Sequence, residues 1–155
     1  MKKYGLLGFP LTHSFSKRYF TEKFEKENIN SSYENFEIDT IEKFPQVVAG
    51  NPEVVGLNVT IPYKEQVLPF LDELNPSAKE IGAVNTIRVI RTATGTKLKG
   101  YNTDTFGFES SIVPFLKPYH KKALILGTGG ASKAIKFVFK QKGIEFLTVT
   151  RQTPK

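Results

Sequence analysis

The apolar run Ala123-Leu-Ile-Leu126 passes directly into Gly127-Thr-Gly129-Gly130-Ala131, a junction that restricts the possible folds more than any other stretch of the chain. Glycines so spaced after a strand permit a tight first turn and let backbone N–H groups approach a pyrophosphate at the start of the next helix, where the partial positive charge lies. Gly127 is read as the turn and Gly129 as the close approach. Gly130 and Ala131 stand in for the usual third glycine and are expected to let helix and strand pack closely. The helix is predicted over 132–142, with Ala134, Ile135, Val138 and Phe139 on one face and Gly143 as its stop. Ile144 to Val149 supplies the second strand. A glycine turn of this kind also occurs in parallel α/β proteins that bind no nucleotide, so the unit alone leaves that alternative open.

The glycine-rich unit begins only near residue 121 of 155. A dinucleotide fold needs further strand–helix repeats of about thirty residues each, so the chain reads as the first part of a longer polypeptide, short by on the order of a hundred residues. With no cysteine and two histidines, a disulfide framework is excluded, a zinc site is not expected, and the cytoplasm fits. The apolar stretch after Met1-Lys-Lys is too short for a signal peptide and no run is long enough to span a membrane. The net charge of +7 raises the question of nucleic acid, but the densest basic groups, Lys17-Arg18 and Lys121-Lys122, are only pairs. An anionic small-molecule substrate with an anionic cofactor accounts for the bias equally well. Neither a nucleic-acid nor a membrane partner is expected; a homodimer stays open.

Ahead of that unit, strand and helix signals alternate, which argues for an α/β fold: an open, mostly parallel sheet with helices on both faces, followed by the first part of a Rossmann domain. Strands are predicted over 3–8, 33–38 and 54–60. Ser14 and Ser16 stand where a helix with Tyr19, Phe20 and Phe24 inward is capped. Ile41, Phe44, Val47 and Val48 suggest a short helix, and Leu68, Leu71 and Leu74 a helical stretch interrupted at Pro69. Asn75-Pro76 opens a helix that Gly82 ends. Residues 83–90 and 97–101 flank Thr94-Gly95 as a hairpin, and a helix over 106–116 bridges to the glycine turn. The domain boundary is placed at Asp104, giving a substrate domain over 1–104 and a truncated nucleotide domain over 105–155.

Ligands of open parallel sheets collect beyond the carboxyl ends of the strands, where three polar clusters are expected: Ser14 and Ser16; Asn58, Thr60 and Lys64; and Asn102 to Asp104. Two hydroxyls at a helix start suit a carboxylate, or simply cap the helix. Lys64 beyond a strand end is placed for partial desolvation and proton transfer, or is a solvated lysine of a helix. Asp104 is its partner or a helix cap. Asn58, Thr60 and Asn85 suit the hydroxyls of a polyol, or satisfy backbone groups. His13 and His120 have no companions for a triad. At the end of the second Rossmann strand, Thr150 offers a hydroxyl and Arg151 and Lys155 offer cationic groups, with no carboxylate, which favours a 2′-phosphate over a 2′-hydroxyl.

Taken in order, Gly5 to Ser16, Asn58-Val-Thr-Ile-Pro-Tyr-Lys64, Ile81-Gly-Ala-Val-Asn-Thr86, Gly100-Tyr-Asn-Thr-Asp-Thr-Phe-Gly107 and Gly127-Thr-Gly-Gly-Ala131 resemble the signature blocks of shikimate dehydrogenase. The resemblance implies two α/β domains around a cleft and NADP-linked reduction of 3-dehydroshikimate to shikimate in aromatic amino-acid biosynthesis. It also implies roles: Ser14 and Ser16 on the substrate carboxylate, Lys64 and Asp104 as the catalytic pair, Thr60 and Asn85 on ring hydroxyls with Asn58 beside them, and Gly127, Gly129, Gly130, Ala131, Thr150, Arg151 and Lys155 on the cofactor. Lys17 departs from the proline usual in the family, and Thr150-Arg151-Gln152 departs from Asn-Arg-Thr. A quinate or dual-specificity enzyme, or a half that binds substrate without turnover, are the rival expectations; the chain alone is expected to be inactive.

Overall fold

Leu6 and Leu7 are neighbours in strand β1 (Lys2–Gly8), both are buried, and because side chains alternate along a strand they enter different cores. The computed structural model, which describes residues 1–150, holds two sheets, and the larger is built around this strand with an apolar layer on each face. β2 (Ser31–Glu37) and β3 (Val54–Val59) flank β1 in parallel. β5 (Thr86–Thr92) runs antiparallel beside β3, β6 (Gly95–Tyr101) returns beside β5, and the two-residue β4 (Glu73–Leu74) lies parallel to β6 at the far edge. The order is β2-β1-β3-β5-β6-β4, mostly parallel as the alternation of signals suggests.

One face is covered by α1 (Ser16–Lys26), whose Phe20 and Phe24 meet Tyr33 and Tyr4. Tyr19, expected inward with them, is 45% exposed, because it lies off the stripe that Phe20 and Phe24 share. The opposite face carries α2 (Phe44–Gly50), α3 (Tyr63–Gln66) and α4 (Pro76–Ile81), which bury Phe44, Val48, Tyr63 and Ala78. Asn75 caps α4 by accepting from the Ser77 N–H at 3.0 Å, and Gly82 ends it in the left-handed region at φ 68°, as its sequence signals require.

Three local expectations are corrected. Leu68, Leu71 and Leu74 do not share a helix: a 3₁₀ turn spans Leu68–Phe70 and Leu74 belongs to β4, since Pro69 removes a donor that a continuing helix needs. The hairpin turns at Ala93-Thr94, because Thr92 pairs with Gly95, and its first strand starts at Thr86. The bridging helix α5 (Asp104–Ile112) starts two residues earlier than predicted and gives way to a 3₁₀ turn at Val113–Phe115, where Pro114 stands.

β7 (Lys122–Leu126), α6 (Gly130–Gln141) and β8 (Glu145–Val149) form the expected strand, helix and strand unit, with β7 and β8 parallel. Ala134 and Val138 are buried on α6, and Gly143 after it has φ 65°. Phe108 meets Phe139 edge-to-face at 5.4 Å and Glu109 pairs with Lys142 at 2.5 Å, joining α5 to α6.

Candidate active site

Strand direction gathers the polar clusters. β1, β3 and β6 run the same way, so the segments after them emerge at one end of the sheet; β5 runs oppositely, so its start, Asn85-Thr86, lies at that same end. Asn58 and Thr86 are direct cross-strand partners there, on the face away from Leu57, Val59 and Ile87.

Lys64 Nζ donates to Asp104 Oδ2 at 2.6 Å, with the two side chains 17% and 30% exposed. This is neither the solvated lysine nor the plain cap that the residues alone left open. The backbone of α3 is held by Val84 N–H on the Lys64 carbonyl at 2.7 Å and by the buried Tyr63 hydroxyl on the Ile38 carbonyl at 2.6 Å. Asp104 is placed from below: Asn102, buried, donates to the Ala83 carbonyl at 3.0 Å and accepts from the Asp104 N–H at 3.1 Å.

Asn85 is the hub of the arrangement. Its Nδ2 donates to Asp104 Oδ1 at 2.8 Å and to Thr103 Oγ1 at 2.9 Å, while its Oδ1 accepts from the Thr103 N–H at 2.8 Å and from Thr86 Oγ1 at 3.1 Å. An amide has two donors and two lone pairs, so this buried side chain is saturated within the protein. Asp104 thus has one carboxylate oxygen on an amide and the other on an ammonium.

Asn58 Oδ1 accepts from the Tyr33 hydroxyl at 2.8 Å, and its Nδ2 faces Thr86 Oγ1 at 3.5 Å. Ser16 is the first residue of α1 and Phe15 occupies the capping position without a side-chain cap bond, so the reading of the two serines as caps is not what the structure has. The Ser14 hydroxyl is buried with no hydrogen-bond partner, which costs about 1–3 kcal/mol until something pairs with it. Ser14, Ser16 and Thr60 line a cavity of about 420 Å³.

A second cleft, of about 500 Å³, shares Thr60 and Ile61 with the first and is lined by Lys64 on one side and Leu126, Gly127, Gly129 and Gly130 on the other. Gly127 turns at φ 110°, a region that favours glycine. Among the described residues, and its chain neighbours apart, no atom lies within 4 Å of where a side chain on Gly129 would begin, so the space in front of it is open to a ligand. Gly130 corrects an expectation: what it permits is not helix-on-strand packing but contact with α3, since a Cβ on it would meet Lys64 Cβ at 3.0 Å. Lys133 of α6 reaches the neighbouring Glu65 at 2.6 Å. Ala131 is exposed at the cleft and Thr150 follows β8; Arg151 and Lys155 lie outside the described residues.

Sequence reasoning passed over Tyr33, Thr86 and Thr103 as site residues. Thr86 and Thr103 stand inside blocks already singled out, and Tyr33 reads as one more apolar position of a strand. His13 is exposed at the rim of the cavity that Ser14 and Ser16 line, and His120 Nδ1 accepts from the Lys117 N–H at 3.1 Å. Among the described residues no group of side chains suits a metal ion, and no helix is long and apolar enough to cross a membrane.

Known proteins give this geometry a context. A shikimate dehydrogenase (NADP(+)) of Desulforamulus reducens is 38% identical over 152 residues, 96% of this chain and 50% of that protein. One of Carboxydothermus hydrogenoformans is 41% identical, over 97% and 53% respectively. The chain therefore spans about half the length of these curated relatives. The crystal structure of shikimate dehydrogenase 1 from Peptoclostridium difficile matches with a TM-score of 0.86 at 42% identity, over all of this chain and 57% of that one. The Thermus thermophilus enzyme in complex with NADP(H) and shikimate matches at 0.82 and 31% identity, over 98% and 57%. The family model described as the shikimate dehydrogenase substrate binding domain matches residues 6–87, more than half of the sequence and the stretch that supplies Ser14, Lys64 and Asn85, so the chain belongs to the shikimate dehydrogenase family.

Proposed function

We propose that this chain contributes the substrate-binding part, residues 1–104, and the start of the nucleotide-binding part, residues 105–155, of a cytoplasmic NADP-dependent enzyme that interconverts 3-dehydroshikimate and shikimate in aromatic amino-acid biosynthesis. The observation that carries this reading is the 2.6 Å contact between Lys64 Nζ and Asp104 Oδ2 where the polar strand ends and the glycine cleft meet. Reducing a ketone requires a hydride on carbon and a proton on oxygen. NADPH, when bound, supplies the hydride. Lys64 gives its proton to the oxygen that becomes the hydroxyl and recovers it in the reverse direction, while Asp104 aims the ammonium. The orphaned Ser14 hydroxyl, with Ser16, suits the substrate carboxylate, Thr60 in the same cavity suits a ring hydroxyl, and Asn58, which lines the neighbouring sheet surface with Thr86, suits another. Asn85 acts by orienting Asp104, because its own bonding capacity is already used.

The residues present suit the dinucleotide: Gly129 is open to close approach and α6, twelve residues long, points its N-terminus at the cleft. Thr150, Arg151 and Lys155 would hold the 2′-phosphate. Partners of this kind are small anions, and neither nucleic acid nor membrane is needed to account for the charge. In the full product of the gene, Lys64→Ala lowers kcat by about a hundredfold or more with little change in KM, as expected for a lost proton transfer. A kcat near the parental value would remove Lys64 from the mechanism, and faster turnover of quinate than of shikimate would reassign the substrate.

A further inference from the structure

An asparagine can offer a ligand either its amide hydrogens or its carbonyl oxygen, and rotating it by half a turn exchanges them. At Asn58 that choice is made by Tyr33. The Tyr33 hydroxyl carries one hydrogen and donates it to Asn58 Oδ1 at 2.8 Å, so the carbonyl end is committed to the interior and Nδ2 faces Thr86 and the open strand ends. Tyr33 is itself rigidly held: it is 3% exposed, and its ring is stacked on Phe20 with centroids 4.6 Å apart and planes 15° from parallel. Phe20 belongs to α1, the helix that begins with Ser16, and the Ser16 side chain lies beside the Tyr33 hydroxyl. One phenol thus bears on both the candidate carboxylate-binding helix and the candidate hydroxyl-binding strand.

We infer that Tyr33 is a positioning residue that fixes the Asn58 amide as a hydrogen-bond donor toward the substrate, so that this position selects an acceptor oxygen on the bound ring. The inference rests on the proposed substrate reading but concerns a residue that need not touch the substrate. Its consequence is specific. Without the phenol hydroxyl, Asn58 Oδ1 is no longer anchored, both amide orientations become populated, and the donor is withdrawn for part of the time. The hydrogen bond of Lys64 to Asp104 is separate from that of Tyr33 to Asn58, so the pair keeps its geometry.

The test uses the full product of the gene and three variants: Tyr33→Phe, Asn58→Ala and the double variant. Calorimetric titration with shikimate, without cofactor, is expected to give about three- to tenfold weaker binding for Tyr33→Phe, the size of one neutral hydrogen bond, and no further weakening when Tyr33→Phe is added to Asn58→Ala. A general loosening of the fold would instead add in both backgrounds. In steady-state kinetics the change falls on KM rather than kcat. The orientation is also read without ligand: nuclear Overhauser contacts from the Asn58 side-chain amide to Thr86 are expected in the parent and to weaken in Tyr33→Phe. If the parent does not bind shikimate yet those contacts respond, the substrate reading fails and the role of Tyr33 stands. If the contacts are unchanged, or the parent binds shikimate and Tyr33→Phe binds it equally well or weakens it equally in both backgrounds, the role of Tyr33 is overturned.

Discussion

Replacing Asp104 by asparagine changes few atoms and no shape, yet it should disable the site, because both carboxylate oxygens receive donors. Oδ2 accepts from Lys64 Nζ at 2.6 Å and Oδ1 from Asn85 Nδ2 at 2.8 Å. An amide in the same place has one acceptor and two donors. If its oxygen meets Lys64, its NH₂ opposes the Asn85 amide; if it turns over, its NH₂ opposes the ammonium. Losing the charge-assisted bond costs about 1.5–3 kcal/mol, and a donor left without an acceptor about 1–3 kcal/mol more. The two side chains are 17% and 30% exposed, so water screens the pair in part and the lower half of the combined range applies, about 2.5–4 kcal/mol in all. Expressed wholly in transition-state positioning, this is roughly seventyfold to a thousandfold in kcat/KM. Steady-state kinetics with shikimate and NADP in the full product of the gene is the assay, with a thermal melt alongside to separate misfolding from misalignment. A folded Asp104→Asn protein within a few-fold of the parent would refute the claim that Asp104 orients Lys64.

Three further outcomes can be measured. Ser14→Ala combined with Ser16→Ala should raise KM for shikimate by about tenfold or more without lowering the melting temperature, since neither side chain caps α1 and the Ser14 hydroxyl has no partner to lose; unaltered KM would sink the carboxylate role. Tyr33 is pushed up from 10.0 to about 12 chiefly by burial, with the Ser16 hydroxyl opposing. Its folded pKa lies above the unfolded one, so its contribution to stability is complete below pH 10.0 and lost as pH rises toward about 12; burial raises Tyr63 as well, so ultraviolet absorbance should show more than one late-titrating phenol, of which Tyr33→Phe removes one. Arg151→Ala should raise KM for NADPH strongly and that for NADH hardly at all, and equal efficiency of NAD and NADP in the parent would contradict the assignment.

The parts of the fold that follow from backbone chemistry were legible in the sequence. Asn75-Pro76 and Gly82 bound their helix because a cap, a fixed φ and a left-handed residue act locally, and the unit around Gly127 follows for the same reason. Leucines at 68, 71 and 74 mislead because their spacing suits a helix while Pro69 and the edge pairing of Leu74 with Gly100 decide otherwise. The polar clusters could be assigned to strand ends, yet which side chain serves which could not. The sequence offers Asn85 as a ring-hydroxyl ligand, and does not show that its amide also bonds residues 86, 103 and 104. Partners that far apart in sequence are set by strand order, which no local signal carries.

Why the lysine should stand on so short a helix follows from what its neighbours do. In α3, Tyr63 points into the core and anchors on the Ile38 carbonyl, Lys64 reaches Asp104, and Glu65 meets Lys133 of α6. Three consecutive side chains thus tie one turn of helix to the sheet, to the start of α5 and to the glycine-rich unit. A side chain on Gly130 would press on the Lys64 stem at 3.0 Å, so the approach of α6 to α3 is close enough for the position of one to fix that of the other. Tenths of an ångström matter in aligning a proton donor with its acceptor. The absence of a side chain at Gly130 is therefore what lets α6 come so close to Lys64, and a larger residue there would have to displace one or the other.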